Sequence, residues 1–125
     1  MGDLVTGGTG DDQIDTGAGS DTIDGGNGND TLTGGTGGDT INGENGSDTL
    51  TGGAGADTLT GGPGADMLIA GGGRNTLSGG SGNDTIKAAN GKVDRVTCGS
   101  GHDWVLADAN DRVASNCEVV KRPHR

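Results

Sequence analysis

Between residues 7 and 87 one aliphatic residue recurs at every ninth position: Ile14, Ile23, Leu32, Ile41, Leu50, Leu59, Leu68, Leu77 and Ile86. Its neighbours are polar almost throughout, mostly Thr before it and Thr, Asp or Asn after it. An apolar side chain between two polar ones predicts a three-residue strand, with one side chain inward and two outward. The six residues preceding each such strand are glycine-rich, which suits a tight turn that visits positive φ. The pattern therefore predicts an all-β chain of short strands and tight turns.

The period is strict. Residues 7–87 divide into nine consecutive nonapeptides without insertion, among them GGNGNDTLT from Gly25, GGTGGDTIN from Gly34 and GGAGADTLT from Gly52. Position four is Gly in all nine units, and position six is Asp in eight, Asn75 being the exception. A half unit, Asp3-Leu4-Val5-Thr6, precedes them in phase and gives the expectation of a longer array. A flexible low-complexity linker would not hold nine aliphatics in one column.

Composition explains why such a chain needs help to fold. Of 125 residues 30 are Gly, 27% are hydrophobic and 1% aromatic, too little apolar mass for an ordinary core. Only two Pro and no Gly-X-Y period exclude collagen. No apolar run is long enough to span a membrane, and no signal peptide opens the chain. Residues 1–73 carry twelve acids and no Lys or Arg, whereas residues 74–125 carry six acids and eight bases. So acidic a stretch repels nucleic acid and anionic lipid and calls for a cation. Turns that present carbonyl oxygens, each ending in a carboxylate, suit a hard divalent ion. Calcium accepts six to eight oxygens in flexible geometry, whereas magnesium resists dehydration.

The pattern GGxGxDxUx, with U a large aliphatic, resembles the repeats-in-toxin (haemolysin-type) calcium-binding repeat over residues 3–87 and, degraded, to about residue 106. That resemblance implies a right-handed parallel β-roll in which two nonapeptides make one coil and neighbouring turns on an edge lie 18 residues apart. One edge would stack Asp12, Asp30, Asp48, Asp66 and Asp84, the other Asp21, Asp39, Asp57 and Asn75. Several calcium ions would sit between successive loops, bound by Asp side chains and by carbonyls of the glycine positions. Those positions are Gly25, Gly28, Gly34, Gly37, Gly43, Gly46, Gly52, Gly55, Gly61 and Gly64. A site between Asp57 and Asn75 lacks one negative charge and is expected to be weaker.

After Lys87 the register slips. Residues 88–97 form a ten-residue variant, with Asp94 and Val96 in the Asp and aliphatic roles; Cys98 to Leu106 restores the pattern, with Asp103 and Val105. The expected division is 1–87 for the repeats and 88–125 for degenerate repeats and a C-terminal cap, since a bare last coil would expose strand edge. The CGxGxD…D…CE arrangement is similar to the ending of secreted calcium-binding proteins of Gram-positive bacteria. Cys98 and Cys117 are open to three roles: a disulfide, a zinc site with His102 and His124, or a catalytic Cys98–His102 pair. The usual zinc spacings and a third orienting group are missing, so a disulfide and an oxidising compartment are the expectation. His102, at the variable fifth position, is expected in solvent and Trp104 outward, as a lid on the last coil. No P-loop, GxSxG elbow, HExxH helix or EF-hand is present.

These readings make the chain a non-enzymatic, secreted, monomeric module that folds on binding calcium. Two other classes compete: the repeat module of a larger secreted enzyme or toxin, and a surface adhesin or ice binder. Ice binding wants a regular outward row, and position three is irregular: Thr9, Ala18, Asn27, Thr36, Asn45, Ala54, Pro63, Gly72 and Ser81.

Overall fold

In a computed structural model, which describes residues 2–88, 92–108, 111–117 and 119–121, each repeat contributes one strand. Strands on one side are β1 (Leu4–Thr6), β3 (Thr22–Asp24), β5 (Thr40–Asn42), β7 (Thr58–Thr60), β9 (Thr76–Ser78), β11 (Arg95–Thr97) and β13 (Arg112–Val113). Those on the other are β2 (Gln13–Asp15), β4 (Thr31–Thr36), β6 (Thr49–Ala54), β8 (Met67–Ile69), β10 (Thr85–Lys87), β12 (Trp104–Leu106) and β14 (Val119–Lys121). Odd strands form one seven-stranded parallel sheet and even strands another. The chain crosses from sheet to sheet at every turn. This is a β-solenoid, a parallel β-roll, with no helix among the described residues.

Pairing in the repeats advances by 18 residues, as Leu32 opposite Leu50 and Ile41 opposite Leu59 show. Beyond Lys87 the advance changes. Thr76 faces Arg95 and Thr85 faces Trp104, so the extra residue in 88–97 is absorbed in a loop and the strands keep phase. Arg95 then faces Arg112, and Trp104 faces Val119, across shorter last coils.

Two sequence expectations need correction. Strands β4 and β6 are six residues long, because pairing continues into their glycine turns with Gly35 opposite Gly53 and Thr36 opposite Ala54. Of the nine repeat aliphatics eight are buried, from Ile23 to Ile86; Ile14, in the first full coil, is only partly buried. It has stacked neighbours on one side only.

The core is built from two columns of position-eight aliphatics, one from each sheet, continued by Val96 and Val105, together with residues at first positions. In the repeats the first position is usually Gly; towards the C-terminus Ala70, Ala88, Cys98 and Ala107 fill it with buried side chains. Cys98 and Cys117 form a disulfide with Cα atoms 5.1 Å apart. It ties the loop after β11 to the segment before β14. Neither the zinc nor the thiol-catalysis alternative survives for these two sulfurs, and His124 lies outside the described residues. His102 and Trp104 point outward, as expected.

Candidate metal centre

Position six of every repeat lies at the junction of turn and strand, where its side chain folds under its own glycine turn. In each coil the backbone N–H donates to Oδ1 of the residue at the same position one coil on. One edge runs from Asp12 to Asp30, Asp48, Asp66, Asp84 and Asp103, every step at 2.8 Å. The other runs from Asp3 to Asp21, Asp39, Asp57, Asn75, Asp94 and Asp111, with steps of 2.6 to 2.8 Å. The two edges are those the period predicted, each extended at its ends.

Asp3 joins its row as the half unit's phase implies, although it was not counted among the stacked aspartates, and Asp111 was missed. Asp111 is buried, and its Oδ2 accepts from the Asp108 N–H at 2.6 Å. The signal was present in Asp111-Arg112-Val113, which keeps the Asp-x-aliphatic order without a glycine turn before it. Position five was also missed as a second, outer ladder. Asn29 N–H donates to Asp11 Oδ1 at 2.7 Å, and Ser47 N–H to Asn29 Oδ1 at 2.9 Å.

The second carboxylate oxygen has no such use. Oδ2 of Asp12, Asp21, Asp30, Asp39, Asp48, Asp57, Asp66, Asp84 and Asp103 is buried and accepts no hydrogen bond. Leaving a buried carboxylate oxygen unsatisfied costs several kcal/mol, on the order of a lost charged hydrogen bond or more. Glycine at position one makes room for it: a Cβ on Gly43, Gly52 or Gly61 would stand 2.5 Å from Oδ2 of Asp48, Asp57 or Asp66. The Gly at position four has another task. Gly28, at φ 108°, lies against the Gly10 carbonyl oxygen of the preceding coil, so a side chain there would strike backbone.

Burial dominates the electrostatics of these carboxyls. It raises Asp39, lifts Asp48, Asp57 and Asp66 to about 6, and lifts Asp84 to about 7. The N–H donated from one coil back pulls each the other way, and the carboxylate of that preceding coil adds to the rise, joined at Asp84 by Asp103.

Asn75 shows what surrounds the unused atom. Its Oδ1 takes the ladder bond from Asp57, while Nδ2 points to the carbonyl oxygens of Ala70 and Gly72 at 3.3 Å and Gly73 at 3.4 Å. Where the other loops place a buried carboxylate oxygen, this loop places a donor facing carbonyls of positions one, three and four. Among the described residues no three His, Cys, Asp or Glu side chains converge on one point. Each loop brings one carboxylate and a set of backbone oxygens, all hard donors.

The chain matches the RTX calcium-binding nonapeptide repeat (4 copies) over residues 2–32, 24–59, 33–68, 60–92 and 69–105. It belongs to that family. Comparison with curated proteins and with solved structures gave no match. The RTX repeats are calcium-binding elements in a structural solenoid, and the oxygen-only donor set of this chain fits that chemistry.

Proposed function

We propose that this RTX roll is a structural module that folds when calcium fills its loops and that works outside the cytosol. The observation that carries the proposal is the contrast between Asn75 and the aspartates. An amide donor satisfies the carbonyls around Asn75; the equivalent Asp loops set a carboxylate oxygen among oxygens, an arrangement that a cation reconciles while the carboxylate stays ionised. The proposed ligands are the Oδ2 atoms of Asp12, Asp21, Asp30, Asp39, Asp48, Asp57, Asp66, Asp84, Asp94 and Asp103. Loop carbonyls at positions one, three and four complete each set, including Gly25, Gly28, Gly34, Gly37, Gly43, Gly46, Gly52, Gly55, Gly61 and Gly64. Calcium bound there supplies positive charge, and the rest is done by the chain: the aliphatic file excludes water and the Oδ1 ladder aims each carboxylate. The loop of Asn75 is the weakest holder, since its donor competes with the ion. The repeats of residues 1–87 hold most of the ions, and residues 88–125, degenerate repeats that add Asp94 and Asp103, cap the stack.

A disulfide and millimolar calcium both belong to the extracellular side, where the module folds after export. A chain with so small a core stays unfolded until its carboxylates are neutralised. We take it to be monomeric and without catalytic activity of its own. A far-UV circular dichroism titration with calcium tests this: β signal rises steeply with calcium, hardly with magnesium, and is lost in chelator. A roll that persists in excess chelator overturns the proposal.

Ice binding has one observation in favour, the exposed, in-register row Thr22, Thr40, Thr58 and Thr76. That row ends at Arg95 and Arg112, and the columns beside it are mixed. No thermal hysteresis is expected.

A further inference from the structure

The outward face of the odd-numbered sheet changes character at its C-terminal end. Threonine occupies position seven of β3, β5, β7 and β9, then Arg95 of β11 and Arg112 of β13 follow in the same column. Arg95 and Arg112 are directly opposite each other on neighbouring parallel strands. Backbones one strand spacing apart, about 4.8 Å, place two positive charges side by side. Like charges in that position destabilise a sheet. Arg74, two residues before Thr76 in the turn that leads into β9, joins them. Together with Asn75, Thr76 and Asp94 the three arginines line one concavity of about 330 Å³.

The negative charge nearby does not neutralise them. Asp94 is buried and aims inward, with Oδ1 accepting from the Asn75 N–H at 2.6 Å. Where the row should bring another carboxylate to this loop, the chain has Asn75. All three arginines are exposed; the backbone N–H groups of Arg95 and Arg112 donate to the Asn75 and Asp94 carbonyls, and none of the three guanidiniums makes an ion pair or hydrogen bond with another described residue. A chain of net charge −10 thus gathers three guanidiniums, unpaired among the described residues, around one hollow.

We propose that this hollow is an anion site for a phosphate or sulfate monoester. The number of cations selects the ligand. A carboxylate has two oxygens and is matched by one guanidinium fork, whereas a tetrahedral oxyanion offers three terminal oxygens to three arginines. A bare anion fills only a small part of the hollow, which leaves space for the sugar or polyol that carries the ester. Bound there, the anion removes the repulsion between Arg95 and Arg112 and strengthens the end of the sheet.

The test uses the full chain, calcium-loaded, titrated with glucose 6-phosphate and glucose 6-sulfate and followed by the arginine Nε–Hε NMR signals. Glucuronate, inorganic sulfate and sodium chloride at matched ionic strength serve as comparisons. Both esters should saturate, moving the signals of Arg74, Arg95 and Arg112, with glucuronate roughly tenfold weaker or more. Arg95→Gln and Arg112→Gln should each weaken ester binding roughly tenfold while leaving the calcium-induced circular dichroism unchanged. Shifts that only follow ionic strength overturn the site, as does glucuronate binding as tight as the esters. Inorganic sulfate binding as tightly as glucose 6-sulfate overturns the ester. Unchanged ester affinity in the two variants places the anion on bound calcium and also overturns the proposal.

Discussion

Each position-six aspartate divides its two oxygens between two tasks, and substitutions should separate them. Asp48→Ala removes both the acceptor for the Asp30 N–H and a buried carboxylate oxygen. It should raise the calcium midpoint of folding well above that of Asn75→Ala, which removes no charge. Thr58→Ala, on an exposed outward position between Thr40 and Thr76, should move stability by no more than about 0.5 kcal/mol. Equal midpoints for Asp48→Ala and Thr58→Ala in a calcium titration would remove Asp48 from the ligand set. Glu44 is the residue-scale exception among the turns. It is the one described non-glycine residue at positive φ, 68°, and hydrogen bonding and charge from Asp24 raise its carboxyl. Glu44→Gly should therefore stabilise the calcium-bound roll by roughly 1 kcal/mol, read as a higher Tm.

Protonation acts on the same atoms. The carboxyls of Asp48, Asp57, Asp66 and Asp84 are raised to between about 6 and about 7 in the metal-free fold, so that fold binds more protons than the unfolded chain near neutrality. Their contribution is present in full below the ordinary carboxylate pKa of about 4 and is lost as pH rises through 6 to 7. In chelator, lowering pH from 8 to 5 should increase β signal. In calcium the direction reverses, because protons compete with the ion, and the midpoint should rise below pH 7. A chelated chain whose β content does not change over that range would show that carboxylate charge is not what keeps it unfolded.

At the scale of the element, the turn is the demanding part and the strand the tolerant one. A three-residue strand such as β7 buries one side chain, so Leu59→Val is a small loss, whereas the turn must fit beneath the next coil. Gly46 sits at φ 107° against the Gly28 carbonyl oxygen. Gly46→Ala should cost more than about 2 kcal/mol, since left-handed backbone strain and collision with main chain add together. The comparison is made by chemical denaturation in saturating calcium, with Thr58→Ala as the reference. Gly72, at the variable third position, has open space around it and takes alanine at far lower cost. If Gly46→Ala and Gly72→Ala proved equal, close stacking of turns would not limit the fold.

The whole molecule is a one-dimensional stack whose ends are unlike. At its start Ile14 is half-covered and Leu4 is 77% exposed; at its end the Cys98–Cys117 disulfide, Val105 and Val113 close the file. Folding in such a stack spreads from whichever coil forms first. The C-terminal coils, with a covalent tie and fewer carboxylates to neutralise, are the best placed. Reducing the disulfide, or deleting residues 88–125, should raise the calcium midpoint and flatten the transition followed by circular dichroism. Residues 1–87 folding at an unchanged midpoint and slope would make the cap passive.

The nine-residue period by itself determined most of this. Aliphatic, glycine and aspartate columns specify strand, turn and inward carboxylate, because each is set by residues a few positions apart. Which residues share an edge follows from the same period, once two units make a coil. Cys98 and Cys117 were legible as a disulfide pair, because the partners that zinc binding or catalysis needs are missing from the sequence. Only the tertiary structure decided which carboxylate oxygen joins the ladder and which is left over, since that depends on a backbone N–H 18 residues away. It alone revealed the position-three carbonyl facing Asn75, the end member Asp111, and the continuation of β4 and β6 through their turns. Arg74, Arg95 and Arg112 are scattered singly along the chain, and no local pattern links them. Stacking brings them together, because a solenoid makes neighbours of residues one coil apart whatever separates them in sequence.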